Sequence, residues 1–168
     1  MNIYLVGFMG TGKSTVGREL AKKKKWQFVD LDGLIELRER KTIADIFAGQ
    51  GEPYFRRIET RALREVAKEE RFVVACGGGI VIAQENIKVM KASGSVVCLH
   101  ARPEVILKRT AGLAHRPLLN VDDPRGRIEL LLKMRSPYYA RADHRIDTSR
   151  LSVAKVVERI VEKLKARH

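Results

Sequence analysis

The 168-residue chain is poor in cysteine, tryptophan and proline, with 2, 1 and 5 of them, and only 6% of its residues are aromatic. The two thiols, Cys76 and Cys98, each sit inside an apolar run, so they read as buried free cysteines of a reducing compartment rather than as a disulfide framework. With 5 prolines and 13 glycines, collagen-like and low-complexity classes are excluded. No stretch approaches the about 20 apolar residues of a membrane span. The start, Met1 to Gly7, lacks the basic opening and unbroken apolar run of a secretion signal. A cytoplasmic protein without a membrane partner is expected.

What is present suits one globular domain. Hydrophobic residues make up 45% and charged residues 32%, and the length is enough to bury a core without staples. No repeat, linker or domain boundary is visible, so residues 1–168 read as a single unit. The net charge of +13 suits polyanions, membrane surfaces or small acidic substrates. Lys22 to Lys25 and the C-terminal lysines read as solvated faces.

Short apolar runs alternate with helical patterns, the signature of βαβ units in which helices cover both faces of a parallel sheet. Strands are expected at Asn2 to Val6, Gln27 to Val29, Phe72 to Cys76, Ser95 to Leu99 and His144 to Asp147. Helices are expected from Lys13 to about Lys24, around Pro53 to Glu69, near Ala83 to Ala92 and over Pro103 to Thr110. The last, from Val153, carries an apolar stripe of Val156, Val157, Ile160 and Leu164. Residues 112–123 form a long connection of the kind that serves as a lid, and Asp123-Pro124 reads as the cap and first residue of another helix.

The strongest chemical signal is Gly7-Phe8-Met9-Gly10-Thr11-Gly12-Lys13-Ser14-Thr15, which fits G-x-x-x-x-G-K-[ST] between the first strand and first helix. Glycines let the backbone N–H groups of Gly10, Thr11 and Gly12 turn toward phosphates, and the helix adds the positive end of its dipole. Lys13 is expected to reach the β- and γ-phosphates and the Ser14 hydroxyl to ligate Mg²⁺. The guanine-reading N-K-x-D tetrad is absent, and no apolar strand ends in Asp-Glu, which leaves a small-molecule kinase.

Four further clusters lie outside that loop. Asp30 and Asp32 close the second strand, where two-residue spacing puts both on one side of an extended chain; turn chemistry or helix capping is the plainer alternative. Arg56 and Glu59, three apart on the long helix, can lock together, as solvated helix pairs commonly do. Gly77-Gly78-Gly79 follows the third strand and permits close approach of a substrate, although a flexible turn would look the same. Arg135 occupies an inward position set by Ile128, Leu131 and Leu132, with Pro137 ending the pattern; it needs an anion, either a structural carboxylate or a ligand.

In combination these residues resemble the shikimate kinase family over nearly the whole chain. The resemblance rests on the phosphate loop, Asp30-Leu31-Asp32, Ile43-Ala44-Asp45-Ile46-Phe47, Gly51-Glu52, Phe55-Arg56-Arg57-Ile58-Glu59, Gly77-Gly78-Gly79, Arg116-Pro117-Leu118-Leu119 and Arg135-Ser136-Pro137-Tyr138-Tyr139. It implies a three-layer α/β/α P-loop kinase fold, with a five-stranded parallel sheet in the order 2-3-1-4-5, a mobile lid at about 112–123 and a substrate-binding helical region at about 33–60. It implies transfer of phosphate from ATP to the 3-hydroxyl of shikimate.

Carried over by position, the resemblance assigns shikimate contacts to Asp32, Arg56, Gly78, Gly79 and Arg135. Ser14 and Asp30 take Mg²⁺, Arg116 reaches the phosphates from the lid, and Arg109 packs on adenine. Thr15 completes the nucleotide set of Gly10, Thr11, Gly12, Lys13 and Ser14. Catalysis falls to Lys13, Asp32 and Arg116, with cations near Asp32 expected to keep it a weak base. Two places depart from the pattern: Leu151-Ser152-Val153 stands where some members have a proline over adenine, and Cys76 where Ser or Thr is common. A monomer with no specific nucleic-acid partner is expected. The alternatives are another small-molecule kinase such as gluconate kinase, and, on the charge, an NTP-switched nucleic-acid-binding protein, against which the scarcity of aromatic platforms argues.

Overall fold

Asn2–Val6 is buried at every position, which suits only a strand covered on both faces. The computed structural model describes residues 1–111, 119 and 121–166 of the chain. In it Asn2–Val6 is β1, the centre of a sheet completed by β2 (Gln27–Asp30), β3 (Phe72–Ala75), β4 (Gly94–His100) and β5 (His144–Asp147). The strand order is β2-β3-β1-β4-β5 and every pairing is parallel. That is the expected order. Alternation along β1 feeds two apolar layers: Tyr4 and Val6 point to one, Ile3 and Leu5 to the other.

Around the sheet run α1 (Lys13–Lys24), α2 (Leu31–Glu39), α3 (Ile43–Val66), α4 (Gln84–Ser93), α5 (Pro103–Thr110), α6 (Pro124–Tyr139) and α7 (Val153–Lys165). In α7 the stripe of Val156, Val157, Ile160 and Leu164 is buried, and Ser152 caps the start by accepting from the Lys155 N–H at 3.2 Å. α1 and α7 pack on the Ile3/Leu5 layer.

Three local expectations are corrected. The residues after β2 are α2, not extended chain; Asp30 caps that helix through the Gly33 N–H at 3.2 Å. The long helix starts near Pro53 as expected, since Gly51 just before it is not helical (φ 84°, ψ 167°); what the expectation lacked is the shorter helical segment ahead of that break, which starts at Ile43 and is capped by Thr42. The long helix ends at Val66 rather than Glu69. Pro137 does not end α6 at once; the helix runs two residues further to Tyr139. The expected lid over 112–123 falls largely on residues outside those described.

The register sets up the site. Leu5 and Asp30 both lie opposite Ala75, so β1, β2 and β3 end at one edge and deliver Gly7, Leu31 and Cys76 there. In open parallel sheets this carboxyl edge is where ligands bind.

Candidate active site

The loop between β1 and α1 turns on three positive-φ glycines, Gly7 (141°), Gly10 (76°) and Gly12 (93°). At Gly7 a Cβ would strike the Leu99 carbonyl oxygen, so the loop runs hard against β4. The Thr11 hydroxyl donates to Phe8 O at 2.7 Å and fixes the turn from within. Lys13 folds over the loop, its Nζ donating to Gly7 O at 2.7 Å and Phe8 O at 2.9 Å. α1 has no acidic residue in its first turn and three lysines in its last, which favours an anion at its start. Thr15, next in line, is exposed.

Asp30 and Asp32 are brought to this edge by different means than the sequence suggested. Asp30 ends β2 and divides its oxygens: Oδ1 caps α2, and Oδ2 accepts from the Ser14 hydroxyl at 2.8 Å. A hydroxyl and a carboxylate touching at the start of α1 form a hard-oxygen pair. Asp32, in the first turn of α2, turns instead toward Gly77, where a Cβ would lie 2.8 Å from its Oδ1. That Oδ1 is buried and has no hydrogen-bond partner among the described residues. Burial first, and then the Asp30 charge, push the Asp32 carboxyl up against the opposing pull of Lys13 and Arg56. The expectation of a weak base held down by cations is therefore reversed, because desolvation outweighs the neighbouring charges.

Opposite Asp32 stands a basic pair. Arg56 on α3 lies across Gly79, where a Cβ would be 2.7 Å from its Cζ. Its Nη1 donates to Glu59 Oε1 at 2.9 Å and its Nη2 to Glu52 Oε1 at 3.2 Å. Glu59 is buried, not solvated, and burial pushes its carboxyl up to about 7 in spite of Arg56. Arg135 comes from α6, its Cζ 5.7 Å from the centre of the Phe8 ring and its Nη1 3.1 Å from where a Gly78 Cβ would stand. Gly77, Gly78 and Gly79 thus abut Asp32, Arg135 and Arg56 in turn. A side chain at any of the three would enter the space these groups enclose.

Arg109 on α5 donates to Gly10 O at 3.2 Å and to Thr148 O at 2.9 Å, which holds it beside the phosphate loop. Thr148, buried just after β5, donates to Thr11 O at 3.2 Å. Thr148 carries a site contact that the sequence did not single out, Tyr139 was named only within its motif without a role, and Glu59 was read as a surface partner of Arg56. A buried threonine following a strand and an Asp-Thr-Ser run were the available signals for Thr148. Arg116 lies outside the described residues. A cavity of about 320 Å³ opens beside Arg56, lined by Pro53, Thr60, Ile82 and Asn86 among others.

A family profile described as shikimate kinase matches residues 9–165. The chain belongs to the shikimate kinase family. It is 44% identical over 161 residues to the shikimate kinase of Thermoanaerobacter pseudethanolicus, covering 96% of this chain and 94% of that one. The structure of the Acinetobacter baumannii shikimate kinase in complex with shikimate superposes with a TM-score of 0.94 at 38% identity, covering 99% of this chain and 93% of the other. A gluconokinase from Sinorhizobium meliloti reaches a TM-score of 0.59 at 17% identity over 98% of this chain and 91% of its own, a likeness of fold alone. As a shikimate kinase family member the chain is an ATP-dependent kinase with ATP as co-substrate, and neither alternative raised by the sequence is favoured.

Proposed function

We propose that this site transfers the γ-phosphoryl group of ATP to the 3-hydroxyl of shikimate, with the acceptor held among Asp32, Arg56, Gly78, Gly79 and Arg135. The observation that carries the reading is the buried Oδ1 of Asp32, without a partner among the described residues, grouped with the Arg135 and Arg56 guanidinium groups along the triple glycine. A buried carboxylate oxygen lacks a donor, and a hydroxyl supplies one. Two arginines with planar forks suit a carboxylate, which a small hydroxylated acid presents at its other end.

Each residue then has a task. Gly10, Thr11, Gly12 and the start of α1 cradle phosphates with backbone N–H groups, and Thr15 extends the cradle. Lys13 leaves the carbonyls of Gly7 and Phe8 for the β- and γ-phosphates. Asp32 orients the acceptor hydroxyl and takes its proton. Arg109 lies beside the adenine, braced by Thr148. To Arg116 falls the neutralisation of charge on the transferring group. Ser14 and Asp30 fit Mg²⁺, which takes few protein oxygens and keeps waters and substrate phosphates as its other ligands. That ion supplies neutralisation of phosphate charge.

One sheet shared by both apolar layers supports reading residues 1–168 as one kinase domain, with the acceptor region at about 33–60. No described helix is long and apolar enough to cross a membrane. A cytoplasmic monomer without a specific nucleic-acid partner completes the proposal. Asp32→Asn tests its core: turnover collapses while ATP binding and the melting temperature are retained. Near-normal turnover in that folded variant would return Asp32 to a structural role.

A further inference from the structure

Tyr139 follows Arg135 by four residues on α6, so both side chains leave the same face of the helix. Its side chain is buried and its hydroxyl donates to Gly78 O at 2.7 Å, across 61 residues of sequence. Burial pushes the phenol up to about 12 against the pull of Arg135, so it stays protonated and remains a donor. Gly78 is the meeting point of three elements: a Cβ there would lie 3.1 Å from Arg135 Nη1, 3.6 Å from the Tyr139 hydroxyl and 3.6 Å from Gly7 O. A single peptide therefore touches α6 and the phosphate loop at once.

The peptide between Gly78 and Gly79 is planar and trans, so its carbonyl and its N–H point in opposite directions. A carbonyl pinned toward α6 sends the Gly79 N–H the other way. Glycine peptides rotate more readily than others, and three glycines in a row have no side chain to hold the plane. The hydroxyl of Tyr139 supplies that hold from outside the loop, and it does so from the helix that also carries Arg135.

We propose that Tyr139 is a positioning residue for the phosphoryl acceptor: its hydroxyl fixes the Gly78–Gly79 peptide so that the Gly79 N–H and the Arg135 guanidinium present a preset surface to the bound acid. This rests on the reading of Gly78, Gly79 and Arg135 as acceptor contacts, for which turnover of shikimate by the unaltered enzyme is the separate readout. Preorganisation of this kind acts on acceptor binding and leaves the nucleotide side alone.

The test is Tyr139→Phe, which deletes the hydroxyl and keeps the buried ring, measured alone and together with Arg135→Lys below the melting temperature of each variant. The KM for shikimate rises about five-fold or more, the scale of one lost hydrogen bond, while the KM for ATP stays within about two-fold. In the Arg135→Lys background the same change costs less, because the two residues act on one peptide. A shikimate KM within about two-fold of the unaltered enzyme overturns the proposal. So do equal rises in both KM values, or full additivity with Arg135→Lys, since each marks a merely structural tyrosine.

Discussion

Arg56 and Glu59 form a pair of unequal exposure: Nη1 lies 2.9 Å from Oε1, yet Glu59 is 1% exposed and Arg56 27%. The carboxylate is thus an internal brace, and the arginine is the half that faces the open site. Fixing a guanidinium this way removes rotamer freedom before any ligand arrives.

The brace has a pH signature. Burial raises the Glu59 carboxyl from 4.5 to about 7 in the folded chain, so the folded state binds this proton more tightly than the unfolded state. The stability this contributes is fully present below 4.5 and is lost as pH rises through about 7. Thermal melts of the unliganded protein across that window should therefore fall more steeply for the native chain than for Glu59→Gln. Equal slopes would show that Glu59 titrates normally.

Lysine at position 56 or 135 keeps a charge but loses the planar fork. Each of Arg56→Lys and Arg135→Lys should raise the KM for shikimate about ten-fold or more, with ATP affinity nearly unchanged. If steady-state kinetics left the shikimate KM untouched in both, neither arginine would belong to the clamp.

Gly79 separates stability from function. Its backbone is unstrained (φ −96°), and the group a Cβ would strike is the Arg56 guanidinium, the end of a long side chain rather than backbone. Gly79→Ala should displace that guanidinium, raising the shikimate KM several-fold while moving the melting temperature by no more than a few degrees. A large drop in melting temperature with an intact KM would mean that the glycine serves the fold alone.

Asp30 does two jobs that a pair of substitutions separates. Asparagine caps helices as well as aspartate does, so Asp30→Asn keeps α2 but loses the charge beside Ser14. It should raise the Mg²⁺ concentration needed for half-maximal rate. Asp30→Ala should add a loss of about 1 kcal/mol from the missing cap, a fall in melting temperature of roughly 2–4 °C. An unchanged Mg²⁺ requirement in both would leave Asp30 as a cap only.

The central strands were legible because a doubly covered parallel strand is largely an apolar run, as in Asn2–Val6 and Gly94–His100. α2 was not, since Leu31–Glu39 opens with Gly33 in its first turn and its signal was the capping carboxylate of Asp30. Gly51 and Pro53 marked the start of the long helix correctly, whereas the segment from Ile43 ahead of that break had the Thr42 cap as its signal. The phosphate loop was legible from local spacing alone. The pairing of Glu59 with Arg56 was legible from its spacing and only its burial was not, whereas Thr148 and Tyr139 owe their places to contacts between distant parts of the chain: Thr148 reaches Thr11 over 137 residues, and Tyr139 reaches Gly78 over 61. No local pattern encodes such contacts.

The central claim is that two guanidinium groups and Asp32, grouped around the triple glycine, select shikimate as acceptor. Release of ADP, followed side by side with shikimate, quinate, gluconate and nucleoside monophosphates, measures that selection directly. Turnover with shikimate should exceed that with every other acceptor by a wide margin. Turnover with gluconate or a nucleotide, and none with shikimate, would contradict it.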